Sequence, residues 1–127
     1  MAGKIESFRD LEAYREACKL DDSVFLETRH WPAAEKFALI DQVRRSSRSV
    51  GANLAEAWAK RRYPAHFVSK LTDADGELQE TSHWLSRAEH YGYLAPQKAL
   101  ELNARCRTVG RLIGGMMAKP ESFALRA

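Results

Sequence analysis

The residues best able to do chemistry in this chain are few, and their spacing limits what each group could do. Glu80-Thr-Ser-His83 is a Glu-x-x-His stretch, a unit that bundle proteins combine with glutamates from other helices to build dinuclear metal sites. Neither residue lies on the apolar stripe Leu78, Thr81 and Leu85 of its segment, so solvated or interface polar roles are expected and no metal. Cys18 and Cys106 are the only cysteines, too few for a disulfide framework or a zinc site. Both fall in or beside apolar stripes, where free cysteine acts as a small hydrophobe, and nothing local activates either thiol. Asp73, Asp75, Glu77 and Glu80 form an acidic stretch that reads as a solvated face. Glycine loops of the G-x-x-x-x-G-K-S/T or G-x-G-x-x-G kind are missing, so the common nucleotide cradles are excluded. Gly110-Arg-Leu-Ile-Gly114 has the spacing that lets a neighbouring helix approach closely. The expectation is no enzyme, no metal and no cofactor.

Basic residues make the stronger pattern. Between Gln42 and Arg62, six cations (Arg44, Arg45, Arg48, Lys60, Arg61 and Arg62) stand against Glu56 alone. From Gly92 onward Lys98, Arg105, Arg107, Arg111, Lys119 and Arg126 outnumber Glu101 and Glu121. Ala65–Tyr91 has the opposite sign, with five acids against Lys70 and Arg87, so a net charge of +3 conceals a polarised molecule. On a helix Arg44 and Arg48 stand one turn apart while Arg45 points about 100° away. Arg107 and Arg111 repeat that spacing. Such ridges neutralise phosphates, the sequence-independent part of nucleic-acid binding. More often such runs are simply solvated faces, and the opposed acidic and basic helices also offer a way to pair between subunits. Asn53 precedes Leu54 and Glu56 stands beside the core position Ala57, and polar groups beside a buried seam fix register or partner geometry.

The elements that must carry these residues are helices. The chain has 127 residues, 45% hydrophobic and 29% charged, with only 4 prolines and 7 glycines; that suits one soluble domain spanning residues 1–127. No run approaches the length of a membrane span. Met1–Glu6 lacks an apolar leader core, so a cytoplasmic location is expected. Four segments repeat apolar residues at three and four, at about 10–28, 34–60, 65–90 and 96–118. Their stripes run through Leu11, Tyr14, Ala17, Leu20 and Val24; through Phe37, Ile40, Val43, Ser47, Val50, Leu54 and Ala57; through Phe67, Leu71, Ala74, Leu78, Thr81, Leu85 and Ala88; and through Leu102, Cys106, Val109, Ile113 and Met116. Pro32, Pro64, Gly92 with Pro96, and Pro120 punctuate them, and a frayed tail is expected beyond Pro120. Gly51 inside the second stripe allows a local bend. Short connections favour an all-α, antiparallel up-down-up-down four-helix bundle. Trp58 and Trp84 lie one position beside their stripes, covering either the bundle edge or a subunit interface.

The second segment carries a resemblance. Gln42-Val-Arg-Arg-Ser-Ser-Arg-Ser-Val-Gly-Ala-Asn53-Leu-Ala-Glu56 resembles the signature of the bacterial four-helix bundle family associated with intervening sequences in 23S rRNA genes. That family includes the accessory variability determinant proteins of diversity-generating retroelements. Phe8-Arg-Asp-Leu11 with Tyr14, Trp31-Pro32 with Glu35–Leu39, Ala74–Thr81 and Tyr91-Gly-Tyr-Leu94 extend the resemblance over nearly the whole chain. It departs at Ala57, where members carry glycine, and at Gly51, where proline or serine is common. The resemblance implies a bundle that assembles as a homopentameric ring, and a protein that is not an enzyme. Retroelement members bind nucleic acid and a reverse transcriptase through basic surface. The expected partners are therefore a second copy of the chain, RNA or another nucleic acid and, by analogy alone, a reverse transcriptase. Arg44, Arg45, Arg48, Lys60, Arg61 and Arg62 are the candidate nucleic-acid residues, and Asn53 and Glu56 the assembly or structural ones. The alternative is a structural or protein-interaction module that binds no nucleic acid.

Overall fold

Apolar spacing becomes helix wherever proline and glycine permit it. The computed structural model describes residues 4–124 and contains α1 (Glu12–Thr28), α2 (Asp41–Ala59), α3 (Pro64–His90) and α4 (Pro96–Ala118). The leader reading at residues 1–3 and the charge of Arg126 lie outside the described residues. Each helix packs on two others, in the cyclic order α1, α2, α3, α4. All seven stripe residues of α3 are buried, as are all five of α4. Phe67, Leu71 and Leu85 of α3 meet Leu20, Val50, Leu54 and Ile113 in one core. Each such side chain contributes about 1.5–3 kcal/mol on burial.

The ends follow local chemistry. A short 3-10 turn, Phe8–Asp10, opens the fold with a capping box in which the Ser7 hydroxyl accepts from the Arg9 amide and Asp10 accepts from Glu6 and Ser7. Pro64 occupies the first turn of α3, where its missing N–H removes nothing. Gly92, with φ of +82°, ends α3. The Tyr93 amide donates to the Ala88 carbonyl and the Gly92 amide to that of Glu89, at 2.9 and 3.0 Å, the paired bonds of a Schellman cap.

Several expectations need correction. The second helix does not begin at residue 34: a 3-10 turn (Ala33–Glu35) and a π turn (Lys36–Ile40) precede α2. The wide turn shifts the helical phase, so Leu39 and Ile40 both turn inward while Phe37, expected in the core, is 86% exposed. The tail does not fray from Pro120, because Pro120–Ser122 forms a 3-10 turn that lays Phe123 against Phe67, ring centres 5.6 Å apart. Close approach holds at Gly110, where an added Cβ would lie 3.4 Å from the Leu78 side chain, but Gly114 faces open space. Gly51 sits within unbroken helix, beside the Tyr14 ring.

Candidate functional site

The six candidate cations divide into two groups. Arg44, Arg45 and Arg48 lie in the first half of α2, and each is engaged by the bundle itself. Arg44 donates through Nε to the Thr28 hydroxyl at 2.7 Å, and its guanidinium lies 4.9 Å from the Phe25 ring centre. Arg48 reaches Asp21 at 3.9 Å. Both therefore face α1, as their one-turn spacing requires. Arg45 points to α3 instead, where it pairs with Glu77 at 3.3 Å and with Glu80. Desolvation is the largest single effect on the Arg45 guanidinium and lowers its pKa, but the two carboxylates together outweigh it and raise the pKa. The structure thus splits the three arginines between two faces and gives each an internal partner.

Lys60, Arg61 and Arg62 form the turn between α2 and α3. Backbone bonds make this turn rigid: the Lys60 amide donates to Glu56 and Ala57 carbonyls, Arg61 to Trp58, and Tyr63 to Lys60. Arg61 folds back on α2, its Nη1 bonding the Trp58 carbonyl at 2.8 Å and its guanidinium 3.8 Å from the Trp58 ring centre. Lys60 and Arg62 are exposed. Among the described residues no carboxylate lies within ion-pairing distance of any of the three. The sequence counted all six cations alike because segment sums carry no pairing information.

The polar pair of α2 is held inside the chain. Asn53 donates to the Ser49 carbonyl of its own helix at 2.9 Å. Glu56 binds Lys70 of α3 at 2.7 Å, and Lys70 also holds Asp73 at 3.3 Å. The Lys70 hydrogen bond lowers the Glu56 carboxyl pKa. A further polar contact between these helices went unnoticed in the sequence: Ser46 and Thr81, both fully buried, share a hydrogen bond of 2.8 Å. Thr81 was legible as a stripe position, whereas Ser46 sits beside its stripe and carried no signal.

The two Glu-x-x-His glutamates have structural partners. Glu80 accepts from Arg45 and from the Trp84 indole at 3.3 Å. Glu27-Thr-Arg-His30 at the end of α1 is a second Glu-x-x-His. Glu27 accepts from the Trp31 indole at 3.1 Å. Among the described residues no group of three or more His, Cys, Asp or Glu side chains gathers into a metal-holding cluster. Trp58 and Trp84 are half-buried against the core. Burial pushes the Cys106 thiol up to about 11. Cys18 lines a groove of about 290 Å³ between α1 and α2 with Tyr14, Asp21 and Arg48. Burial raises the Asp21 carboxyl there, against the opposing pull of Arg48. No histidine lines that groove, so its thiol has no base of the kind that activates a nucleophile.

Comparison with known proteins adds the following. A family model described as 23S rRNA-intervening sequence protein matches residues 9–115. No curated protein matches the chain. A crystal structure of a Bacteroides thetaiotaomicron protein with unknown function, from the S23 ribosomal protein family, is similar at 23% identity and a TM-score of 0.74, covering 84% of this chain and 95% of that one. At this identity the likeness establishes the shared fold and nothing about activity.

Proposed function

The chain belongs to the family of 23S rRNA-intervening sequence proteins, and from that premise we propose that it is a non-catalytic RNA-binding bundle protein whose phosphate contacts come from the α2–α3 turn. One observation carries this reading: Lys60, Arg61 and Arg62 are three consecutive cations with no carboxylate within ion-pairing distance among the described residues, whereas Arg45 and Arg48 face carboxylates of α3 and α1. A cation without an ion pair gains most from a phosphate, because it breaks no salt bridge and releases counterions from the nucleic acid. In this reading Arg44, Arg45 and Arg48 stabilise the fold, and Asn53 and Glu56 set helix register.

The contacts of Arg44 with Thr28 and Arg48 with Asp21, and those of Ser46 with Thr81 and Glu56 with Lys70, support an up-down-up-down bundle, since partner numbers fall as α2 numbers rise. Exposed Phe25, Leu26, Phe37 and Leu100 support homo-oligomerisation, with the five-fold ring implied by the family resemblance as the expected form. No described helix is long and apolar enough to cross a membrane, in keeping with a cytoplasmic protein. A second reading, an interaction module without nucleic acid, draws on the same apolar groups and on the use of Arg45 by Glu77 and Glu80.

Binding of a labelled RNA, followed by fluorescence anisotropy between about 50 and 200 mM salt, separates the two. RNA binding predicts affinity that falls steeply with salt and weakens when Lys60, Arg61 and Arg62 are all alanine. Absence of binding at the lowest salt would sink the first reading and leave the second. Light scattering gives the number of subunits, and a monomer would contradict the assembly.

A further inference from the structure

We infer that the α2–α3 turn recognises single-stranded rather than duplex nucleic acid, with the Tyr63 ring stacking on a base beside the cations Lys60, Arg61 and Arg62. This rests on the RNA-binding reading above and names the strand form that the same site takes.

Tyr63 is 57% exposed, so its ring adds little to the core. It caps α3 without a side-chain hydrogen bond. Its backbone is nevertheless fixed. The following Pro64 confines it to extended geometry, at φ −113° and ψ 106°. Its amide donates to the Lys60 carbonyl at 3.1 Å, and its own carbonyl accepts from Phe67 at 3.0 Å. His66, one turn along α3, lies with its ring centre 5.5 Å from that of Tyr63. A ring on a fixed backbone, with a second ring beside it, makes a surface whose ordering entropy is largely settled before binding.

Charge completes the argument. Single-strand sites combine aromatic faces for bases with cations that track the backbone. Here Lys60, Arg61 and Arg62 immediately precede the ring. The bond from the Tyr63 amide to the Lys60 carbonyl closes residues 60–63 into a turn, which gathers the ring and the cations at the end of α2. In a duplex the base faces are covered by their neighbours, so Tyr63 would have nothing to stack on. Phe37 is more exposed than Tyr63, yet it lies among Glu35, Lys36 and Asp41, where no positive surplus would draw phosphate. At Tyr63 an exposed ring coincides with cations that have no carboxylate within ion-pairing distance among the described residues.

The test uses the full chain and two probes, a labelled oligouridylate of about 12 nucleotides and an RNA duplex of equal length. Anisotropy at low salt is read for the wild type, Tyr63→Ala and Tyr63→Phe, with circular dichroism to confirm unchanged helix content. The expected result is tighter binding of the single strand, weakened about tenfold by Tyr63→Ala and retained in Tyr63→Phe. Loss of duplex binding should be slight. Equal wild-type affinity for both probes, or a Tyr63→Ala variant that binds the single strand as the wild type does, overturns this inference while the RNA-binding reading stands. Failure of the wild type to bind either probe overturns both.

Discussion

Replacing Arg44, Arg45 and Arg48 together by alanine should act on the fold rather than on the RNA surface. Arg45 holds two carboxylates of α3 with its side chain 47% exposed; solvent screening limits each pair to a few tenths of a kcal/mol. Its removal also leaves Glu77 and Glu80 one turn apart and unneutralised, for about 1 kcal/mol in all. Arg44 loses a charge-assisted bond to the buried Thr28 hydroxyl and its packing on Phe25, about another 1.5 kcal/mol. Thr28 keeps its own bond to the Val24 carbonyl at 2.8 Å, so no polar group is orphaned. Arg48, at 3.9 Å from Asp21, contributes close to nothing, and alanine returns a few tenths through helix propensity. The total is about 2 kcal/mol, which for a chain of this length lowers Tm by about 7 °C. Thermal melts followed by circular dichroism measure it. The Arg45 share should shrink at about 1 M salt, where the Debye length falls to about 3 Å. RNA binding supplies the other half. The slope of log affinity against log salt should hold in this variant and flatten by about 2 when Lys60, Arg61 and Arg62 are replaced, at about 0.7 per contact. A triple α2 variant that melts like the wild type, and whose RNA slope collapses, would refute the division of the six cations.

Three further outcomes test the packing. Ser46→Ala and Thr81→Val should each lower stability by about 1 kcal/mol in urea titrations, and the double variant by clearly less than their sum, because the hydroxyls bond each other and each retains a carbonyl acceptor of its own helix; strict additivity would show the contact to be inert. Gly92→Ala should destabilise by about 1–2 kcal/mol in the same titrations, since a side chain at φ +82° meets the left-handed penalty. In a Cys18→Ser background, Cys106 should react with a disulfide reagent at pH 8 far more slowly than a free thiol: with its pKa near 11, only about one in a thousand is thiolate. Labelling as fast as free cysteine would contradict its burial.

The helices were legible where one physical signal dominated. In α3, alternating spacings of four and three, a proline at the start and a glycine at the end all agree, and every stripe residue is buried. The segment before α2 was not legible, because a π turn changes the helical phase without changing composition. Phe37 keeps perfect sequence spacing to Ile40 and still points to solvent. Pro120 suggested a stop and a loose end, yet three residues later Phe123 finds the Phe67 ring, a contact that local propensity cannot reveal. For the candidate site, sequence identified the cations but not their partners. Arg44 and Arg45 are adjacent in sequence and turn to different helices, which follows from the 100° step once both neighbours are known.

Assembly and RNA binding need not compete for surface. Phe37 and Leu26 precede α2, whereas Lys60 through Tyr63 follow it. The 19 residues of α2 hold these groups about 28 Å apart at 1.5 Å per residue. That distance is several Debye lengths at physiological salt, so charge at the turn scarcely repels a partner docking on Phe37. The first half of α2, where Arg45 and Arg48 meet acids of α3 and α1, lies between the two and carries its charge in internal pairs. Copies joined through the apolar residues would each keep a free basic turn. Several modest turns on one particle then give an avidity that a single copy lacks, provided one RNA can span them. RNA affinity should accordingly fall on dissociation of the oligomer even though no phosphate contact is lost: Phe37→Asp, which leaves Lys60, Arg61 and Arg62 untouched, should yield smaller particles by light scattering and weaker binding of a long RNA with unchanged binding of a short one. Equal weakening on both lengths would mean that the Phe37 region itself touches RNA, against the separation argued from α2.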